Sequence, residues 1–133
     1  MSPAAAFERA VEERDLDALV SALAPDVVFR SPVVYRPYEG REITARILEA
    51  VTRVFDDFEY VRRFEAEEGA ALIFKARVGD REVDGLDLLR FDDEGLVSEL
   101  TVMVRPMSGV QALAAAMGEE LERQGVTSPG GAP

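Results

Sequence analysis

An α+β cone, with N-terminal helices packed on a curved antiparallel sheet that encloses a pocket, is the fold class this sequence predicts. Three observations carry that expectation. Apolar residues recur at helical spacing between Pro3 and Phe55, and they alternate with polar ones at strand spacing from Phe58 to Arg105. The stretch Val83 to Arg105, VDGLDLLRFDDEGLVSELTVMVR, reads as a β-hairpin, and one carboxylate within it, Asp87, falls in phase with the apolar residues. An acid on an apolar face requires a partner or a task.

The helical half opens with Ser2 as N-cap before Pro3, followed by Ala4, Phe7, Ala10 and Val11 on one face. Asp15 opens a second, shorter helix with Leu16, Leu19, Val20 and Leu23, which Pro25 should end. Asp26 to Arg30 is β-branched and aromatic and is expected as a strand. Two prolines and two tyrosines between Ser31 and Tyr38 describe an irregular loop. Gly40 then leads into a third helix with Ile43, Ile47, Leu48, Val51 and Phe55 on its apolar face.

The strand half is a meander. Phe58, Tyr60 and Phe64 alternate with charged residues, and Glu67-Glu68-Gly69, Gly79-Asp80 and Asp92-Asp93-Glu94-Gly95 supply the turns between strands. Arg62 shares its phase with the apolar set; an anion contact or a place at the pocket mouth would explain this, but a β-bulge is the expectation. Pro106 stops the sheet, and Val110, Leu113, Ala114, Met117 and Leu121 predict a closing helix. One domain over residues 1–125 and a disordered Ser/Pro/Gly tail over 126–133 are expected.

Composition narrows the chemistry. The 133 residues contain no cysteine and no histidine, which removes thiol nucleophiles, disulfides, histidine metal sites and every histidine-based relay. A formal net charge of -11 disfavours nucleic acid and anionic membrane surfaces as partners. No apolar run suggests a signal peptide or a membrane span, so a cytoplasmic protein is expected. The acidic runs Asp56-Asp57, Glu67-Glu68 and Asp92-Asp93-Glu94 read as solvated turns, and no metal or cofactor is expected.

The phrases DLDALVSALAPDVVFRSPV at Asp15 to Val33 and GLDLLRFDDEGLVSELTV at Gly85 to Val102, with Pro32, Pro37 and Gly40 spaced between them, resemble the nuclear transport factor 2-like superfamily. That superfamily includes ketosteroid isomerase and the SnoaL-like polyketide cyclases. Its members host enzymes, binding proteins and transport factors on one scaffold. Ketosteroid isomerase uses one aspartate as base and a second, protonated one beside a tyrosine as oxyanion hole. The resemblance places the oxyanion acid at Asp87, the base at Ser31, the oxyanion tyrosine at Phe7 and its supporting tyrosine at Leu48. Only the first of these four positions keeps its polar function, and a serine without a neighbouring base is a poor proton acceptor at neutral pH.

The expected activity is therefore that of a pocket protein for a small apolar, cyclic molecule carrying one carbonyl or hydroxyl near Asp87. Asp87 would serve as acid or hydrogen-bond donor in a diverged isomerase, cyclase or dehydratase. A non-catalytic carrier, and an interaction module with a filled cone, are the alternatives. Strand phase and resemblance together assign Phe7, Ser31, Leu48, Phe74, Leu89, Val102 and Val104 to the pocket. The opposite sheet face, with Ile73, Arg77, Asp84, Leu86, Leu88, Arg90, Glu99 and Met103, is too apolar at its centre for a solvated surface and is expected to form a homodimer. Tyr60 reads as core packing, and Asp87 could also be a core acid satisfied by Ser31, a tyrosine hydroxyl, an amide or water.

Overall fold

A computed structural model describes residues 1–125. The expected tail, residues 126–133, lies outside the described residues. Helices α1 (Pro3–Glu12) and α2 (Leu16–Ala22) are followed by β1 (Leu23–Arg30), β2 (Tyr38–Glu39) and α3 (Arg41–Val54). Strands β3 (Asp56–Glu65), β4 (Gly69–Val78), β5 (Arg81–Phe91) and β6 (Val97–Arg105) form the meander, and α4 (Met107–Gln124) is the last element among the described residues. The side-chain oxygens of Ser2 and Asp15 accept hydrogen bonds from the Ala5 and Ala18 amides, each at 3.1 Å, so both expected N-caps are in place.

The six strands form one sheet in the order β2-β1-β6-β5-β4-β3. It is mixed, because β1 joins β6 in parallel while every other neighbouring pair is antiparallel. Pro25, expected to precede the first strand, lies inside β1, where the register against β6 shifts between Leu23 and Val28. The irregularity accommodates a residue that cannot donate to the ladder. Short β2 was not anticipated within the loop and arises because Tyr38 pairs back onto Phe29.

The register of β3 against β4 shifts between Tyr60 and Arg62. This is the bulge that Arg62 predicted, and it reverses the phase of the residues beyond it. Phe64 therefore turns to the outer face, against its expected inward phase, and its ring lies 5.1 Å from the Arg62 guanidinium. Arg63 takes the inner side and pairs with Glu8 of α1 at 3.0 Å.

Two close approaches shape the interior. A Cβ at Gly85 would fall inside the ring of Phe74, its cross-strand partner, so glycine here lets that ring lie down against the sheet. Phe55, Phe58, Tyr60 and Phe74 then pack edge and face, with neighbouring centroids 4.9 to 6.3 Å apart. Gly109 likewise lets α4 approach Val83 of β5. Further along α4, buried Glu120 pairs with Arg53 of α3 at 3.2 Å and with Arg123 at 2.8 Å, tying the closing helix to the third.

Candidate functional site

Between the concave face of the sheet and the helices lies a cavity of about 610 Å³, walled mainly by apolar side chains. Phe7, Phe29, Phe55 and Phe74 all border it, and none of them fills it. Ser31, Leu48 and Val102 also line it, as does Tyr38, whose ring packs on Phe29 with centroids 6.0 Å apart. Tyr35 projects fully into solvent, at 98% exposure.

Two expected pocket residues lie elsewhere. Leu89 is buried one inward step beyond Asp87, toward the turn where Pro3 of α1 meets Gly95, and belongs to the packed core. Val104 borders a shallow depression with Arg30, Tyr35 and Met103. Strand phase selects the inner face correctly in both cases, but it carries no information on where along a strand the packing opens into a void.

Asp87 sits in the cavity wall at 8% exposure. Alternation along β5 puts it inside, flanked in register by Leu72 of β4 and Val102 of β6. Tyr60 reaches it from β3, across the width of β4, and its hydroxyl donates to Asp87 Oδ2 at 2.6 Å. Ser31 is not that partner, since no hydrogen bond joins it to Asp87 among the described residues; its hydroxyl oxygen accepts from the Val33 amide at 3.0 Å. Among the described residues no other donor reaches the Asp87 carboxyl, and no buried side-chain oxygen is left without a partner, so Oδ1 is open to the cavity.

Burial raises the Asp87 pKa to about 7, outweighing the lowering effect of the Tyr60 hydrogen bond. Burial, and then the neighbouring Asp87 charge, push the Tyr60 phenol well above its ordinary value. The phenol therefore stays protonated and donates to Oδ2. When Asp87 is neutral its proton is left to Oδ1, the oxygen that faces the cavity. The pair sets one carboxyl oxygen bonded to a phenol and one open oxygen at the wall of an apolar space. No cluster of three potential metal-ligating side chains occurs among the described residues.

The sequence profile of the SnoaL-like domain matches residues 4–100. The chain belongs to the SnoaL-like family. A crystal structure described as a steroid delta-isomerase from Pseudomonas aeruginosa is 44% identical, over 92% of this chain and 90% of that one, with a TM-score of 0.87. An uncharacterized bacterial protein with a cystatin-like fold from Silicibacter pomeroyi is 31% identical, covers 92% and 87% of the two chains and superposes with a TM-score of 0.89. A putative SnoaL-like polyketide cyclase from Shewanella denitrificans, at 16% identity, 88% and 95% coverage and a TM-score of 0.64, shares the fold. No curated protein matches significantly. The nuclear transport factor 2-like resemblance and the fold class are borne out by these relatives, and an isomerase- or cyclase-type activity is compatible with the SnoaL-like scaffold. No helix among the described residues is long and apolar enough to cross a membrane.

On the SnoaL-like sheet's outer face, two apolar rows run across the strands. Phe64, Ala71, Leu88 and Thr101 form one row, and Ile73, Leu86 and Met103 stand beside Arg62 in the other. Leu88 is 44% and Met103 53% exposed. Charged rows flank this band. Asp84 pairs with Lys75 at 2.8 Å and Arg105 at 2.7 Å on one side, and Arg90 stands 3.7 Å from Glu99 on the other. Arg77 pairs with Asp57 at 2.9 Å.

Proposed function

We propose that the protein binds a neutral, apolar cyclic molecule through one carbonyl or hydroxyl oxygen at Asp87, and acts on it by acid or hydrogen-bond assistance. The carrying observation is the Asp87–Tyr60 pair, a carboxyl with one oxygen held and the other free in an apolar cavity. A neutral acid in such a place donates a strong hydrogen bond to an oxygen on which negative charge develops. The similarity, at 44% identity, to a steroid delta-isomerase supports a ring ketone as the ligand class.

Proton shuttling between two carbons is a different matter. The base position implied by the resemblance is Ser31, which has no histidine to activate it and whose hydroxyl already accepts from Val33. The reading thus separates polarisation of a ketone, which Asp87 supports, from abstraction of a carbon-bound proton, for which the position implied by the resemblance offers no base. That asymmetry also favours a second reading, a carrier that holds its ligand without turnover.

Calorimetric titration with the two-ring ketone 2-decalone tests the binding. Affinity should be constant near pH 5 and fall about tenfold per pH unit above about pH 7, as the donor proton is lost. In Asp87→Asn the amide still donates but cannot ionise, so the affinity should be flat with pH. No binding at any pH contradicts the proposal. A 5-ene-3-ketone offered to the native protein, followed by conjugated-enone absorbance, distinguishes the two readings: turnover would show that a base is present after all.

The apolar band on the outer sheet face supports a homodimer formed through it, with Leu86, Leu88, Ile73 and Met103 central and the charged rows at the rim. Sedimentation of Leu86→Arg should then give a monomer where the native protein gives a dimer. A native monomer would remove the interface.

A further inference from the structure

Helix α4 lies outside the segment matched by the SnoaL-like profile, which ends at residue 100, yet it supplies part of the cavity wall. Leu113, Ala114, Met117, Gly118 and Leu121 border the cavity, and their spacing of one, three, one and three residues puts them on one helical face. The wall is held in place at both ends. Gly109 seats the first turn on Val83, and Glu120 ties the last turns to Arg53.

Gly118 is out of character for this helix. Glycine in a helix interior is unfavourable relative to alanine because its unfolded chain is freer and its backbone wetter. Usually a close neighbour or a left-handed backbone explains such a residue, as the Val83 side chain explains Gly109. At Gly118 neither applies, since its backbone is not left-handed and a Cβ there would meet no atom within 4 Å. Gly118 is exposed at the rim, and the space in front of it belongs to the cavity that Asp87 Oδ1 also faces.

Resting on the reading of Asp87 given above, we propose that the α4 wall at Gly118 receives the far end of the ligand and sets how long that ligand can be. Asp87 is buried and Gly118 is exposed, yet both border the same cavity, so the two mark its deep and open ends and the length between them. A one- or two-ring ligand anchored at Asp87 spans only part of that length. A four-ring ligand extends over the Phe74 floor to α4. Gly118 is therefore a specificity-determining position.

The test compares two ketones by calorimetry, 2-decalone and the four-ring ketosteroid testosterone, on the native protein and on Gly118→Leu. The variant should lose at least about tenfold in affinity for testosterone and stay within about twofold for 2-decalone, because the added side chain occupies only the far end. Equal losses for both ketones, or none for either, overturn the inference. Gly118→Ala supplies a readout independent of ligand: its melting temperature should rise by about 3 °C, through helix propensity alone. A fall would show that packing requires the glycine and would overturn the inference as well. Failure of the Asp87 reading looks different, as affinity for both ketones that is unchanged from pH 5 to pH 9, and the Gly118 comparison still decides the role of α4. Binding of neither ketone overturns both.

Discussion

Gly85→Ala is expected to destabilise the protein by about 3 kcal/mol, as overpacking does in a core that cannot give way. The added methyl would fall among the far ring atoms of Phe74, which is itself buried and packed against Phe55, Phe58 and Tyr60. No backbone strain is involved, because Gly85 has ordinary strand geometry; the constraint is space alone. The ring's way out is upward into the cavity, so the same substitution should also reduce ligand binding. Leucine at position 74 ends short of the ring atoms that the methyl would meet. In a Phe74→Leu background, Gly85→Ala should therefore cost under about 1 kcal/mol, and the difference between backgrounds is the coupling. Denaturant titration of the four proteins measures it. Equal costs in the two backgrounds would mean that Phe74 is not what the glycine accommodates.

Asp87→Asn is expected to change how stability depends on pH. In the native state the carboxyl titrates at about 7, against an ordinary 3.8. Below about pH 4 the acid is protonated in both folded and unfolded chains, and its stabilising difference is fully present. Between pH 4 and 7 the unfolded chain ionises first while the native one keeps its proton, so stability falls as pH rises. The total loss is on the order of 4 kcal/mol, complete once pH has passed through about 7. Asparagine can still accept the Tyr60 hydroxyl and does not titrate, so the variant should lack this component. It should be the more stable protein at pH 8, and the advantage should disappear by about pH 4. Urea titrations at intervals of pH read the difference between the two curves. Parallel curves would mean that Asp87 titrates as an ordinary exposed carboxylate.

Much of the scaffold was legible because it is written in short-range signals. Ser2 and Asp15 announce helix starts by residue type, the alternation in β4 and β5 separates inner from outer residues, and Arg62 betrays the bulge by occupying the wrong phase. That same bulge defeats the simple alternation for Phe64, since one extra residue reverses every side chain after it. The inward phase of Asp87 was equally plain.

Its partner was not, although Tyr60 also points inward. The two residues lie on strands separated by β4, and only the register of both pairings brings the phenol to the carboxyl. Nothing local at Tyr60 distinguishes a hydrogen-bonding tyrosine from a packing one. The parallel joining of β1 to β6 and the short β2 are of the same kind, since both depend on pairing between distant segments. Leu89 and Val104 mark the limit of face assignment. Both belong to the inner face, but the void forms where Gly85 lowers Phe74 and where α4 and α3 stand off from the sheet, and this depends on the packing of the whole domain.

The central claim is that Asp87 is an acid that keeps its proton up to about pH 7, with a free oxygen facing a ligand space. Carbon-13 NMR of the Asp87 carboxyl, titrated from pH 3 to pH 9 with and without 2-decalone, tests it most directly. The account predicts a midpoint near 7 in the free protein, moved upward by the ketone, because a ligand that accepts the acid's proton in a hydrogen bond binds the neutral form better. A midpoint near 4, or one that saturating ketone leaves in place, would contradict it.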